Sequence, residues 1–465
     1  MLIRRAEVEG RGVDVRIDAA CIVAMAPALA RRAGEEEVDA AGGALLPGLH
    51  DHHLHLLALA AAADSVRCGP PQVSDAVGLA AALTRAEPLS GWVRGVGYHE
   101  SVAGALDAAR IEVLAPGRRV RIQHRSGAAW ILSRAALAAL ALDRGVDAPG
   151  VERDARGRAT GRLFDLDSWL RERLPARALP DLAAVGRRLA RCGVTGVTDA
   201  TPSNGPAEMQ TLEAAARRGD LPQRLRVMGG DELPEPRHPR VGRGPLKLML
   251  REAALPEFDA TVDRIAAAHA AGRNVALHCV TRAEVLLATA LLAAAGCRRG
   301  DRLEHASVAP PEAVERIAEL PLTVVTQPGF LRERGDAYAE DVEPGDREWL
   351  YRGQGFLTAG VPLGAGTDAP FGDADPWLAM RAAVERRSAG GREFGVKERL
   401  TPELALALFT APASAPGAMP RRVGVGADAD LCLLDRPWRD ARADLSSACV
   451  SATFVEGRVQ WRAQA

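Results

Sequence analysis

Between residues 194 and 370 this chain repeats one pattern: a short β-branched or leucine-rich run, then an alanine-rich amphipathic stretch. The runs are VTGVTDA (194–200), RLRVMGG (224–230), PLKLML (245–250), NVALHCV (274–280), DRLEHAS (301–307), LTVVTQP (322–328) and VPLGAGTDAP (361–370). Helical stretches include 206–219, 257–272, 281–296, 310–320, 346–360 and 375–390. GALLPGLHDHHLHL (43–56) adds an eighth strand candidate. Strands that are apolar on both faces and alternate with helices are satisfied by a parallel sheet covered by those helices, and eight such units close into a barrel. The pattern predicts an α/β fold, a TIM-type (β/α)8 barrel.

Two parts of the chain fall outside the count. Residues from about 66 to 190 hold strand candidates of their own, GWVRGVGYHES and RRVRIQHRSG, and read as an insertion between the first and second barrel strands. Residues 1–46 and 415–465 read as short strands with turn signals. They are expected to pair into a small composite β domain, a β-sandwich formed by both termini, beside a barrel spanning 47–414.

Composition removes several function classes. The formal net charge is -1 and aromatic residues make up 4 %, so neither a basic field nor a stacking surface points to nucleic acid. No uninterrupted apolar run reaches the roughly 18 residues of a membrane span. The N-terminal segment alternates like a strand and lacks a signal-peptide core, so a cytoplasmic location is expected. The seven cysteines are scattered without a Cys-x-x-Cys pair, which argues against a disulfide framework. Of 59 lysines and arginines only Lys247 and Lys397 are lysines. An amine can lose its proton and add CO2 as a carbamate, which a guanidinium does not readily do.

In a parallel barrel the residues that do chemistry sit at the C-terminal ends of the strands. The first strand ends in His53-Leu54-His55, the fourth in Lys247, the fifth in His278, the sixth in His305 and the eighth in Asp368. Histidines, a carboxylate and a rare lysine converging on one mouth make a divalent-metal site, with zinc foremost. Strand alternation puts His53 and His55 on one face and His50 and His52 on the other, so the latter two are expected to point to the helix layer or neighbouring loops and not to touch metal.

These motifs resemble the amidohydrolase superfamily, and within it amidohydrolase family 3, the group of N-substituted formamide deformylase-like hydrolases. PGLHDHHLHL (47–56), LEHA (303–306), GTDAP (366–370) and GADADLCLLD (426–435) correspond to the family's motifs, and the insertion segments GWVRGVGYHES (91–101) and HRSGAAWILSRAAL (124–137) look like family segments. The resemblance covers nearly the whole chain. It implies one metal on His53, His55 and Asp368, a second on His278 and His305, and a CO2-derived carbamate on Lys247 bridging them; members differ in whether they hold one ion or two. It departs at HCVTRAE (278–284) and KLMLREAALPEF (247–258), both beside the substrate space, and at His99, where an acidic or amide residue is expected.

The implied reaction is metal-dependent cleavage of the C–N bond of an amide-type small molecule, N-acyl, formamide or cyclic amide, by activated water, with Asp368 as the catalytic base. Tyr98, His99, His124, Arg125 and Trp130 are the substrate-binding candidates of the insertion. A deaminase and a lactonase or ester hydrolase are the alternatives on the same site. Deaminase branches commonly lack the fourth-strand lysine, so Lys247 argues against the first. A scaffold protein with a vestigial site would have lost a ligand or the base. A homodimer is the oligomer expected by analogy with other barrels of this class.

Overall fold

The structure, a computed structural model, describes residues 1–127, 129–144, 148–164, 166–175 and 181–464. The chain divides into two compact units, Met1–Leu56 with Leu182–Ala465, and Leu57–Asp181.

In the first unit eight strands form one parallel sheet in sequential order. They are β1 (Leu49–Leu54), β2 (Val194–Asp199), β3 (Arg224–Gly229), β4 (Val241–Met249), β5 (Val275–Cys279), β6 (Arg302–His305), β7 (Thr323–Thr326) and β8 (Leu363–Ala365). The two ends of the sheet meet just past the strands, where Asp368 N–H donates to His53 O at 2.7 Å and His55 N–H to Ala369 O at 2.8 Å. This is the expected (β/α)8 barrel. Register shows how its two faces are used. Lys247 pairs with Ala276 and Ala276 with Arg302, while Met249 pairs with His278 and His278 with Glu304, so the polar residues share one face. Leu248, Leu277, Leu303, Val324 and Leu363 are in register on the other, an all-apolar row suited to packing beneath helices.

The termini form two four-stranded sheets. One orders Cys21–Ala26, Arg11–Asp18, Leu2–Val8 and Glu37–Asp39; the other orders Arg458–Arg462, Val450–Val455, Leu431–Leu434 and Leu45–Pro47. One apolar cluster joins them, with Ile3, Val15 and Ile22 from the first and Leu431, Leu433 and Phe454 from the second. Both ends of the chain thus build one sandwich core.

The second unit is a six-stranded sheet ordered Val151–Arg153, Ala159–Phe164, Ala129–Leu132, Val120–His124, Val93–Tyr98 and Val66–Arg67. Its helices bury Leu79, Leu83 and Ile111 against Val93, Val120 and Ile122.

Two helical expectations differ from the structure. The stretch 346–360 holds only a 3-10 turn at Arg347–Trp349 and a short helix at Gln354–Thr358. A full helix, Gly329–Asp341, lies in a segment whose sequence did not suggest one. Gly335 is the reason: a mid-helix glycine lowers helix propensity, yet here a Cβ would lie 2.8 Å from Ser388 Cβ and 2.9 Å from Phe394 Cε2. Packing excludes a better helix former. Among the described residues no helix is long and apolar enough to cross a membrane.

Gly366 shows how tightly the barrel closes. A Cβ there would lie 2.5 Å from both the Cβ and the backbone N of His53. Gly366→Ala is expected to lower unfolding stability by about 1–3 kcal/mol through overpacking, read by denaturant titration; a variant as stable as the parent would contradict this closure.

Candidate metal centre

His53, His55 and Asp368 each offer a ligand atom, and these atoms lie within 4.8 Å of one another. His55 Nε2 is 3.0 Å and His53 Nε2 3.6 Å from Asp368 Oδ1. The next residues inward are His305, whose ring centroid is 4.7 Å from that of His53, and His278, 4.5 Å from that of His305. His305 Nδ1 lies 4.0 Å from Asp368 Oδ2. Strands β1, β5, β6 and β8 thus deliver four imidazoles and a carboxylate to one place. Lys247, on the polar face of β4, is buried, and its amine has no hydrogen-bond partner among the described residues.

Two residues reach this cluster through backbone geometry that side-chain counting cannot anticipate. Glu304 shares the inner face with His278, so simple alternation would turn His305 outward. His305 instead has φ +72°, and Asp368 has φ +55°. Both are in the left-handed region, costly for a residue with a Cβ and concentrated at functional sites.

The histidines are held by groups outside the cluster. His53 Nδ1 bonds the Glu304 carboxylate, His55 Nδ1 lies 2.8 Å from Thr201 Oγ1, and His305 Nδ1 lies 2.7 Å from Gln327 Oε1. Carboxylate and amide oxygens accept, so Nδ1 of His53 and of His305 donates and Nε2 carries the lone pair. That is the tautomer a metal ligand needs, set by the partner of the other ring nitrogen. Sequence reasoning named none of these three partners. Each lies at or just past a strand end, in DATP (199–202), LEHA (303–306) and TQP (326–328), which is the signal that could have found them.

The electrostatics favour a cation. Burial, with neighbouring positive groups, holds His53 and His278 below the ordinary imidazole value and pushes His305 down to about 3, so these rings stay neutral. Burial opposes ionisation of Asp368, but His53, His55 and His305 outweigh it and hold the carboxyl below the usual range. Burial pushes the Lys247 amine down to about 8. Neutral imidazoles with fixed Nε2 atoms, one ionised carboxylate and an orphaned buried amine fit a divalent metal of zinc type.

His50 and His52 do not face the helix layer, and that expectation is corrected. The register of β1 against β2 slips between Asp51 and Leu54, where three residues of β1 span two of β2. A bulge of this kind resets which way later side chains point. His50 Nε2 bonds Thr198 Oγ1 at 2.9 Å, its ring is 4.6 Å from that of His52, and the His52 carbonyl accepts from Arg302 at 2.8 Å. A Cβ on Gly364, which is in register with Val325 and Glu304, would lie 3.5 Å from the His52 ring. Both rings are buried on the side that carries the inner polar residues, apart from the His53–His55–Asp368 group.

The five insertion candidates all lie in the second unit and are engaged within it. Tyr98 is buried and donates to Gly104 O at 2.6 Å. His99 caps the turn at Glu100–Ala103, and His124 Nε2 lies 3.1 Å from Glu100 Oε2. Arg125 N–H donates to Tyr98 O. Trp130 donates to Asp167 Oδ1 at 2.9 Å beneath Arg94 and Arg121.

Comparison with known proteins agrees with this geometry. The profile described as the amidohydrolase family matches residues 36–460. The N-substituted formamide deformylase of Arthrobacter pascens is 26 % identical, over 92 % of this chain and 90 % of that protein. Among solved structures, an uncharacterized metal-dependent hydrolase from Pyrococcus horikoshii OT3 superposes with a TM-score of 0.71 at 19 % identity, covering 94 % of this chain and 97 % of that one. The atrazine chlorohydrolase TrzN of Arthrobacter aurescens TC1, complexed with zinc, gives 0.54 at 16 % identity, over 98 % of this chain and 94 % of that one. At these identities the two structures speak for the fold.

Acid should destabilise the metal-free protein. His50, His52, His53, His278 and His305 are held neutral in the fold, whereas unfolded imidazoles take up protons below about pH 6.5. Their depressed values mean that stability is complete above that pH and is lost as pH falls toward the folded values. Asp51 and Glu333, each pushed up to about 7 by burial, act in the opposite sense, two groups against five. Denaturant unfolding of chelator-treated protein should give clearly lower stability at about pH 5.5 than at about pH 7.5; a flat profile would refute buried neutral rings.

Proposed function

This chain belongs to the amidohydrolase family, the metal-dependent hydrolases of C–N bonds, and on that premise we propose that it hydrolyses the amide bond of an N-acyl or N-formyl amine. The observation that carries the reading is the convergence of His53, His55 and Asp368, with His278, His305 and Lys247, from the ends of five barrel strands. The name of the 26 % identical relative, a formamide deformylase, supports an acyl–nitrogen bond as the one cleaved.

His53, His55 and Asp368 would hold one metal and His278 and His305 a second, with zinc suited to these nitrogen and oxygen donors. A divalent metal there lowers the pKa of water toward about 7 and polarises the carbonyl to be attacked. Asp368 moves the proton. Its carboxylate, 3.0 Å from His55 Nε2 and 3.6 Å from His53 Nε2, would accept the proton of the attacking water and pass it to the leaving nitrogen. Glu304, Thr201 and Gln327 keep three imidazoles from rotating during turnover. The Lys247 amine is buried without a hydrogen-bond partner among the described residues, a costly state for a cation. Loss of one proton frees the amine, and addition of CO2 then forms an N–C bond and releases a second, so the cation would be replaced by a carbamate anion offering oxygen donors to the site.

Elemental analysis of protein purified without chelator should show one or two zinc equivalents per chain, and none would overturn the reading. Asp368→Asn should fold normally yet lose about 10²–10⁴-fold in kcat, the span of general-base catalysis. Lys247→Ala should lose activity and regain part of it with short carboxylic acids; full activity without them would exclude the carbamate. A panel of formamides, N-acyl amines, cyclic amides and lactones separates amide from ester hydrolysis.

A further inference from the structure

The strands deliver their metal-centre residues at one end, and at the other end the barrel holds a cavity of about 130 Å³. Arg226 on β3, Arg243 on β4 and Arg302, the first residue of β6, line it. Arg273 and Asn274, just before β5, and Ser414 complete the polar wall. At about 30 Å³ for each water, the space takes roughly four waters or one small oxyanion. Arg226 is in register with Thr198, the partner of His50, so it sits on the inner face of the sheet.

Four guanidiniums share this wall with one acid, Glu235. Two of the four are matched by carboxylates. Arg243 Nε lies 2.9 Å from Glu235 Oε1, and Arg302 is paired with Glu304. Asp301, beside Arg302 in sequence, is taken up by His269 and by the Val275 N–H. Arg273 is buried and donates to the carbonyls of Gly229, Gly230, Gly244 and Pro245, a set of dipoles without a counter-charge. Arg226 makes no hydrogen bond or ion pair among the described residues, and neither do the side chains of Asn274 and Ser414. Burial and the nearby Arg302 hold the Arg226 guanidinium below its ordinary value, with Glu235 offsetting them only in part. Two cations therefore lie in one small cavity without an acid of their own, an arrangement that an anion relieves. We propose that this cavity binds a phosphoryl group, as free phosphate or as the head of a phosphate monoester, with Arg226, Asn274 Nδ2 and the Ser414 hydroxyl donating to it. Two unmatched cations suit a dianion. Donors arriving from β3, from the entry to β5 and from the 413–416 segment suit a tetrahedral oxyanion better than a planar carboxylate, and guanidinium is the side chain best fitted to phosphate.

Inorganic phosphate titrated calorimetrically into the zinc-loaded protein tests this, with sodium chloride holding the ionic strength constant so that general screening cancels. The wild type should bind phosphate saturably in the low-millimolar range or tighter. Arg226→Gln should weaken binding at least about tenfold, the scale of one charge-assisted bond. Arg226→Lys, which keeps the charge, should recover part of that loss. Ser414 is exposed, so Ser414→Ala should keep the fold and weaken binding a few-fold. A wild type without saturable phosphate binding overturns the inference. So does equal affinity in the wild type and Arg226→Gln, which would put the anion elsewhere, the metal centre included. Phenyl phosphate titrated in the same way separates the two forms of the ligand. Binding as tight as that of phosphate assigns the head of a monoester, and failure of the ester to bind assigns the free ion.

Discussion

The barrel interior turns on one buried carboxylate. Glu304 is fully enclosed, accepts from Arg302 Nε and Nη2, and bonds His53 Nδ1. Burial alone would keep such a group protonated, but Arg302, Lys247 and His53 outweigh it and hold Glu304 well below the usual range. Arg302 also donates to the His52 carbonyl, so the same ion pair fastens β6 across the barrel to β1. Removing one member of a buried pair costs about 3–5 kcal/mol, because the other is left charged and dry. The group that orients His53 is therefore also a structural tie, and the site cannot loosen without the barrel loosening too.

Much of this was legible in the sequence, for a physical reason. Strands of a parallel barrel are buried on both faces, so they stand out as apolar runs, and a histidine or carboxylate at the end of one breaks the run. His53, His55, His278, His305 and Asp368 could be named from that break alone. Lys247 was conspicuous because arginine supplies nearly every other basic residue. What escaped was set by backbone detail. The bulge after Asp51 leaves no mark in composition, and neither do the left-handed residues His305 and Asp368. The helix at Gly329–Asp341 was hidden by Gly335, whose presence is explained only by Ser388 and Phe394, some fifty residues on.

The fold and the chemistry rest on different supports. The eight-stranded sheet and the structural likenesses speak for the architecture, which hosts many reactions. The reaction is argued from the atoms: fixed Nε2 lone pairs, an ionised Asp368 and an amine with no hydrogen-bond partner among the described residues.

The bulge in β1 has a consequence for how this protein can change over time. Side-chain direction along a strand is decided by counting, and the extra residue between Asp51 and Leu54 resets the count just before His53. Substitutions at His50 or His52 leave that count intact, whatever they cost in buried packing. Loss or gain of a single residue there would swing both His53 and His55 off the mouth together. For this stretch, descent should be far stricter about length than about spelling.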